Sequence, residues 1–395
     1  MVRRVYVDYA ATTPLDPRVL EAMQPYFTTV YGNASSLHSF GLEARRSIED
    51  ARKIIAGFIN AEPEELIFTG SATEANNLAL KGFAFNRGKQ KTHIAISSIE
   101  HDSVLNTAKW LERQGFKVTF LPVDRYGLID FEELEKALKR GVSLVSIIHA
   151  NNEIGTIQSL EQIGKLCHEH DALFHTDAAQ SFGKIYLDTK RMNIDLMTVN
   201  AHKIYGPKGV GALYVRKGVE IDPLLHGGGH EFGLRSSTEN VSGIVGFAKA
   251  AEIAENEMEL EVQRLTRLRD RLIKSVLEIE ETYLNGHPIQ RLPNNANFRF
   301  SYIEGEALIL LLSDEGIAAS TGSACSSSSG QPSHVLLALG LKPEEIHGSL
   351  RVSIGRYNTE EDIDYILEIL PKTVKRLRGI SPVEALKSYH GPSTH

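Results

Sequence analysis

Short apolar runs alternate with helix-like segments over most of the chain, and few folds accommodate that rhythm. The runs resemble buried strands and span residues 66–69, 93–97, 118–123, 144–149, 173–175, 196–199 and 211–215. Apolar residues at helical spacing fall between some of them, as at Phe131, Leu134 and Leu138. Strands bounded by helices at this rhythm form parallel βαβ units. We therefore predict an α/β domain with a large, mostly parallel sheet and helices on both faces, and ligands beyond the carboxyl ends of its strands.

The pattern of apolar and charged residues changes near Asn240. A charged helical stretch over residues 252–280 is typical of a connector, and residues 297–302 then alternate like a strand. We predict a large domain over residues 15–255. A smaller α+β domain is expected from residues 1–14 together with 256–395, and it carries the loop that contains Cys325.

The composition argues against several classes of protein, namely nucleic-acid-binding, disulfide-rich secreted and membrane-spanning proteins. The net charge of −7 provides no basic surface for nucleic acid. The two cysteines are too few for a secreted disulfide framework. No window approaches the roughly 18 consecutive apolar residues of a membrane span, and the N-terminus lacks the apolar core of a signal peptide. We expect a cytoplasmic protein with neither a nucleic-acid nor a membrane partner.

Lys203 and Asp177 are candidates for one chemical site. Lys203 follows a buried-looking strand and precedes a Gly/Pro turn, where a desolvated amine can act as a nucleophile. Asp177 ends another strand, and such a carboxylate can keep a pyridine nitrogen protonated. A surface lysine and a helix-capping aspartate are the simpler readings of each residue alone. Because both residues lie at strand ends, both can face one ring.

Other polar residues follow neighbouring strands. Residues 69–76 combine small side chains and hydroxyls at a predicted helix start, which suits an anion, although a simple capping turn has the same pattern. His101 follows a strand and can move protons, while an isolated histidine is more often structural. Asn152 offers a side-chain amide nearby.

The two cysteines differ in their surroundings. Cys325 lies among Ser, Gly and Ala in residues 320–329, a stretch with too few apolar groups for a core. Cys167 shares the apolar stripe of Leu160, Ile163 and Leu166, which indicates a buried core residue. A zinc site at Cys167 and its adjacent histidines is disfavoured, because neighbouring helical residues point in different directions. Cys325 is therefore not expected to be a core residue, in contrast to Cys167.

Motifs from end to end of the chain resemble those of cysteine desulfurases of the IscS/NifS type, in the class V aminotransferase superfamily. They are Asp-Tyr-Ala-Ala-Thr-Thr (8–13), Gly-Asn-Ala-Ser-Ser (32–36), Gly-Gly-Gly (227–229), Arg-Ser-Ser-Thr (235–238), Ser-Thr-Gly-Ser-Ala-Cys (320–325) and Arg-Val-Ser-Ile-Gly-Arg (351–356). The resemblance implies the pyridoxal-phosphate-dependent transferase fold of type I. It also implies the cofactor pyridoxal 5′-phosphate.

The resemblance implies a role for individual residues. The catalytic residues are Lys203, which holds the cofactor as a Schiff base, His101, stacked on its ring, and Cys325, which receives sulfur. The remaining implied cofactor contacts are Ala72, Thr73, Asn152, Asp177, Gln180, Asn200, His202 and, from a second subunit, Thr238. Asn33 and Arg351 are implied to bind substrate. Asn200 replaces the usual serine of the family, an exchange that puts one phosphate contact in question.

The implied reaction removes sulfur from L-cysteine, giving L-alanine and a persulfide on Cys325, with His101 as the proton acceptor for the thiol. The implied partners are a second copy of the chain in a homodimer and an iron–sulfur scaffold protein or another sulfur acceptor. Cys325 can then be a transient iron–sulfur ligand. A selenocysteine lyase or related class V lyase, an aminotransferase, and a protein that acts chiefly as a docked sulfur donor are the alternatives.

Overall fold

Residues 3–322 and 332–380 are described by a computed structural model of the chain. The strands are β1 (Val5–Tyr6), β2 (Leu66–Thr69), β3 (His93–Ser97), β4 (Lys117–Leu121), β5 (Leu144–Ser146), β6 (Leu173–Asp177), β7 (Leu196–Asn200), β8 (Gly211–Val215), β9 (Thr282–Asn285), β10 (Asn295–Phe300), β11 (Ile317–Ala318) and β12 (Ser349–Ser353).

The helices alternate with these strands in the first two thirds of the chain. They are α1 (Pro17–Met23), α2 (Pro25–Thr28), α3 (Ser39–Phe58), α4 (Ala72–Asn77), α5 (Phe83–Arg87), α6 (Asp102–Arg113), α7 (Phe131–Lys139), α8 (Leu160–Glu169), α9 (Val241–Val276), α10 (Gly305–Asp314), α11 (His334–Ala338), α12 (Pro343–Ile346) and α13 (Glu360–Ile380). A π-helical turn, Leu78–Gly82, joins α4 to α5. None of the helices in the described ranges combines the length and apolarity needed to cross a bilayer.

The main sheet has the strand order β2-β8-β7-β6-β5-β3-β4. The strands from β7 to β4 pair in parallel, while β8 is antiparallel to both β7 and β2. The predicted strand at 144–149 is shorter than expected, because β5 ends at Ser146. The backbone nitrogens of Ile147 and His149 nevertheless still bond to strand β6, at His175 O and Asp177 O. The chain thus stays aligned with β6 up to the edge where the polar residues gather.

Helices cover both faces of this sheet. Along β2, Leu66 and Phe68 pack into one apolar cluster and Ile67 into another, as the two-residue period of a strand requires. The first cluster includes α3, α7 and α8, whereas the second includes α4 and α6. The predicted α/β class is therefore confirmed, with a mixed rather than wholly parallel sheet.

A second core lies against the three-stranded antiparallel sheet β12-β10-β9. The N-terminal residues Val5 and Val7 belong to this core, and β1 pairs in parallel with β11. Helix α9 begins earlier than the predicted connector and serves both cores: Phe247 packs in the first and Leu272 in the second. The domain limits at 14/15 and 255/256 stay a prediction.

Candidate active site

A cavity of about 340 Å³ opens beyond the carboxyl ends of β6 and β7. Ten of the predicted site residues line it: Ala72, Thr73, His101, Asn152, Asp177, Gln180, Asn200, His202, Lys203 and Arg351. The first nine belong to the main-sheet domain, and Arg351 comes from β12 of the second sheet. The cavity thus lies between the main-sheet domain and the second sheet, and it has room for a small organic molecule.

Lys203 is held on the cavity wall by the N-terminal segment. Its Nζ donates to the carbonyl oxygens of Ala10 and Ala11, at 2.5 Å each. Burial is the main cause that lowers the pKa of Lys203 to about 7, and the positive charge of Arg351 is the second cause. A substantial fraction of the amine is therefore uncharged at neutral pH, which is the form that attacks a carbonyl carbon.

Asp177 is buried at the last position of β6. Its Oδ2 accepts a hydrogen bond from Asn76 Nδ2 at 2.7 Å, and its Oδ1 accepts one from the Ala179 nitrogen at 2.9 Å. These donors fix the carboxylate at the cavity wall. A carboxylate in this setting suits a protonated ring nitrogen, because the opposite charge offsets the cost of its burial.

Neutral hydrogen-bonding groups also line the cavity, from the start of α4 and from the segment that follows β7. Asn200 Oδ1 is buried and has no hydrogen-bond partner within the described ranges, and only the NH₂ group of this amide can donate to a phosphate. Burial, followed by the positive charge of Lys203, lowers the pKa of His202 to about 4, and its ring is therefore neutral at pH 7. With the Thr73 hydroxyl on the cavity wall, this set fits a phosphate.

Arg351 is buried on β12 and is already engaged. Its Nη2 donates to Asp8 Oδ1 at 2.8 Å, and its Nη1 donates to Asn152 O at 2.9 Å and to Gly322 O at 2.5 Å. The guanidinium thus contacts residues of both domains at the cavity. One of its NH₂ groups, Nη2, already donates to the carboxylate of Asp8.

Glu100 and Glu153 are buried carboxyl groups that also line the cavity. Neither was predicted from the sequence as a site residue. Burial raises the pKa of Glu100 well above its ordinary value, and burial also raises the pKa of Glu153. Glu153 accepts a 2.6 Å hydrogen bond from Ser333 Oγ at the start of α11. Both lie directly beside a predicted residue, Glu100 before His101 and Glu153 after Asn152, and that adjacency was the available signal.

Two of the described residues that were predicted for the site are not brought into the cavity of this chain. Asn33 and Thr238 are exposed and do not line it. Cys325 lies outside the described residues, although Gly322, which precedes it by three positions, lines the cavity. Of the two cysteines, the described one, Cys167, is buried, as predicted. The described residues include no cluster of three or more potential metal ligands.

The main sheet thus places a carboxylate at the end of β6 and a lysine three residues beyond the end of β7 in one cavity. The chain belongs to the class-V aminotransferase family, whose sequence profile matches residues 5–366.

Comparison with individual proteins shows which members of the family this chain is similar to. The chain is 55% identical over 378 residues to cysteine desulfurase IscS 1 of Archaeoglobus fulgidus, covering 96% of this chain and 99% of that protein. A solved NifS-like protein superimposes with a TM-score of 0.89 at 41% identity, covering 95% of this chain and 100% of the other. The structure of SspA in complex with cysteine matches with a TM-score of 0.80 at 40% identity, covering 90% and 100%. The resemblance to IscS/NifS desulfurases is confirmed.

Proposed function

We propose that this chain is a pyridoxal-phosphate-dependent cysteine desulfurase that converts L-cysteine into L-alanine and leaves the sulfur on Cys325. The observation that carries the proposal is the convergence on one cavity of Lys203, whose pKa is lowered to about 7, with Asp177 and Arg351. These three groups suit an aldehyde, a ring nitrogen and a substrate carboxylate. Relatives about half identical over nearly the whole chain carry the name cysteine desulfurase.

The residues present fit the cofactor. Asp177 would pair with the ring nitrogen, and Lys203 would hold the cofactor through its aldehyde group. The other proposed cofactor contacts are Ala72, Thr73, His101, Asn152, Gln180, Asn200 and His202, which line the same cavity. When bound, pyridoxal phosphate supplies an electron sink for negative charge at the substrate α-carbon.

The chain's own groups then handle the substrate. Arg351 binds the carboxylate of cysteine with its planar fork. Lys203 would be the base that takes the α-proton, since its amine is uncharged near neutral pH.

Sulfur transfer is assigned to Cys325. Its thiolate attacks the sulfur of the bound substrate, so that an S–S bond forms as the C–S bond breaks. The electron pair of the C–S bond passes to the organic fragment, which takes up protons and leaves as alanine. The persulfide is then available to a sulfur acceptor. We propose an iron–sulfur scaffold protein as one such acceptor, with Cys325 as a transient iron–sulfur ligand shared between the two.

The proposed active unit is a homodimer. Thr238 is exposed on this chain and is proposed to complete the cavity of a second copy. Asn33, the other proposed substrate contact, is also exposed. Large apolar side chains are exposed beside Asn33: Tyr31 at 66% and Leu37 at 84%. An exposed group of this kind is typical of an interface. Sedimentation as a monomer at working concentration would contradict this part of the proposal.

The proposed activity is tested by loading the purified protein with pyridoxal phosphate and measuring alanine formed from cysteine. We expect Lys203→Ala to form no alanine, while Lys208→Ala, which removes an exposed lysine five positions away, keeps the parent rate. Borohydride reduction of the loaded parent followed by peptide mapping is expected to mark Lys203. Cofactor attached to another lysine, or alanine formation by Lys203→Ala, would overturn the assignment.

A further inference from the structure

His101 and Asp177 are joined by two side chains that belong to different helices. Asn76 Nδ2, on α4, donates to Asp177 Oδ2 at 2.7 Å and to Ser103 Oγ at 2.8 Å. Ser103 Oγ, in the first turn of α6, lies 2.8 Å from His101 Nδ1. Asn76 and Asp177 are buried, and Ser103 is 9% exposed. A continuous hydrogen-bonded series thus connects Asp177 to His101, and both of these end residues line the cavity.

The direction of each hydrogen bond follows from the donors available. The Asp177 carboxylate can only accept, so the Asn76 amide must turn its NH₂ group toward it. The second hydrogen of that NH₂ group goes to Ser103 Oγ. Because the serine oxygen is then an acceptor, its own hydrogen is free to point at His101 Nδ1.

A second donor meets the same nitrogen of His101. His101 is the N-cap residue of α6, and its Nδ1 accepts a hydrogen bond from the Ser103 backbone nitrogen at 3.1 Å. A backbone N–H cannot reverse its role. Nδ1 must therefore present a lone pair, and the proton of the neutral imidazole resides on Nε2.

We propose that Asn76 and Ser103 are positioning residues that hold His101 as its Nε2–H tautomer and tie its ring to Asp177. In this state His101 offers the cavity a hydrogen bond from Nε2–H. It cannot take a proton without placing it on Nδ1, against the Ser103 N–H. This role differs from the sequence expectation that His101 accepts the thiol proton of Cys325. The tautomer itself does not depend on the proposed function, but its use in the reaction rests on it.

The proton positions can be measured directly. Neutron diffraction from perdeuterated crystals of the cofactor-loaded protein, grown above the ordinary pKa range of histidine, is expected to show a deuteron on His101 Nε2 and none on Nδ1. A deuteron on Nδ1 would overturn the proposal. Because this readout does not involve turnover, the tautomer can be correct even if no alanine is formed, and that result would count against the proposed function alone.

The coupling is tested with variants of the serine. Ser103→Ala removes the hydroxyl and keeps the backbone N–H, so we expect kcat for alanine formation to fall by about tenfold or less, with little change in KM. Ser103→Thr restores a hydroxyl and is expected to recover most of the rate. Thr107→Val is the matched control, because Thr107 is also on α6 and donates to Asn77 Oδ1 at 3.0 Å rather than to His101. Parent kcat in Ser103→Ala, or an equal loss in Thr107→Val, would contradict the positioning role.

Discussion

Asp8 Oδ1 lies 2.8 Å from Arg351 Nη2, so the proposed clamp for the substrate carboxylate holds a carboxylate of the protein itself. The two residues are 343 positions apart, and the pair joins the N-terminal segment to β12. Asp8 belongs to the same segment as Ala10 and Ala11, whose carbonyl oxygens accept from Lys203. The segment thus contacts both the residue proposed to hold the cofactor and the residue proposed to hold the substrate.

This pairing predicts that Asp8 competes with the substrate for Arg351. Asp8→Asn keeps an oxygen near the guanidinium but removes the competing charge, so we expect the KM for cysteine to fall several-fold. Steady-state alanine formation over a range of cysteine concentrations measures this. Asp362→Asn, which removes the charge of a peripheral pair with Arg3, is the control and is expected to leave KM unchanged. A rise in KM in Asp8→Asn would show that Asp8 positions Arg351 instead.

The lowered pKa of Lys203 predicts the pH at which its amine becomes reactive. With a pKa of about 7 instead of the ordinary 10.5, the uncharged form predominates above neutral pH. Competitive acetylation of the cofactor-free protein, followed by mass spectrometry, is expected to show half-maximal reactivity of Lys203 near pH 7. The exposed Lys208 serves as the internal reference. The direction is fixed: reactivity rises with pH, and a midpoint near 10 for Lys203 would contradict the effect of burial.

The local pattern predicted the strands and the residues at their ends, because these depend on short-range periodicity. Lys203 and Asp177 were found this way, each from its own strand. The series Asp177–Asn76–Ser103–His101 was not, because Asn76 and Asp177 are 101 positions apart and meet only when α4 packs against β7 and β8. Arg351 was identified through the family resemblance, and its contact with Asp8 depends on the packing of the N-terminal segment against β12, which places Arg351 343 positions later in the chain. Long-range pairing of this kind leaves no periodic trace in a sequence.

Glu100 predicts a pH dependence of stability. Burial raises its pKa well above the ordinary 4.5, so the folded state retains a proton that the unfolded state has released. The contribution of Glu100 to stability is therefore present below pH 4.5 and is lost as pH rises toward the folded-state pKa. Glu100→Gln keeps an oxygen for the Ile148 nitrogen, which now donates to Glu100 Oε1 at 2.6 Å, but has no proton to lose.

We expect urea denaturation to show Glu100→Gln more stable than the parent by about 1 kcal/mol at neutral pH, with a difference that shrinks as pH falls toward 5. Glu64→Gln, at an exposed position, is the control and is expected to match the parent at every pH. An advantage for Glu100→Gln that grows in acid would have the wrong sign and would rule out a buried, protonated Glu100.

The two cysteines predict where the transferred sulfur is found. Cys167 is fully buried, and burial raises its pKa, so its thiol is neither accessible nor ionised at neutral pH. Cys325 lies in a segment of small polar residues three positions beyond Gly322, which lines the cavity. Brief exposure of the loaded protein to cysteine is therefore expected to add one sulfur, about 32 Da, to the peptide that contains Cys325. Cys325→Ser is expected to bind cysteine yet form almost no alanine, whereas Cys167→Ala keeps the parent activity, since that thiol takes no part. An added sulfur on Cys167, or full activity in Cys325→Ser, would refute sulfur transfer to Cys325.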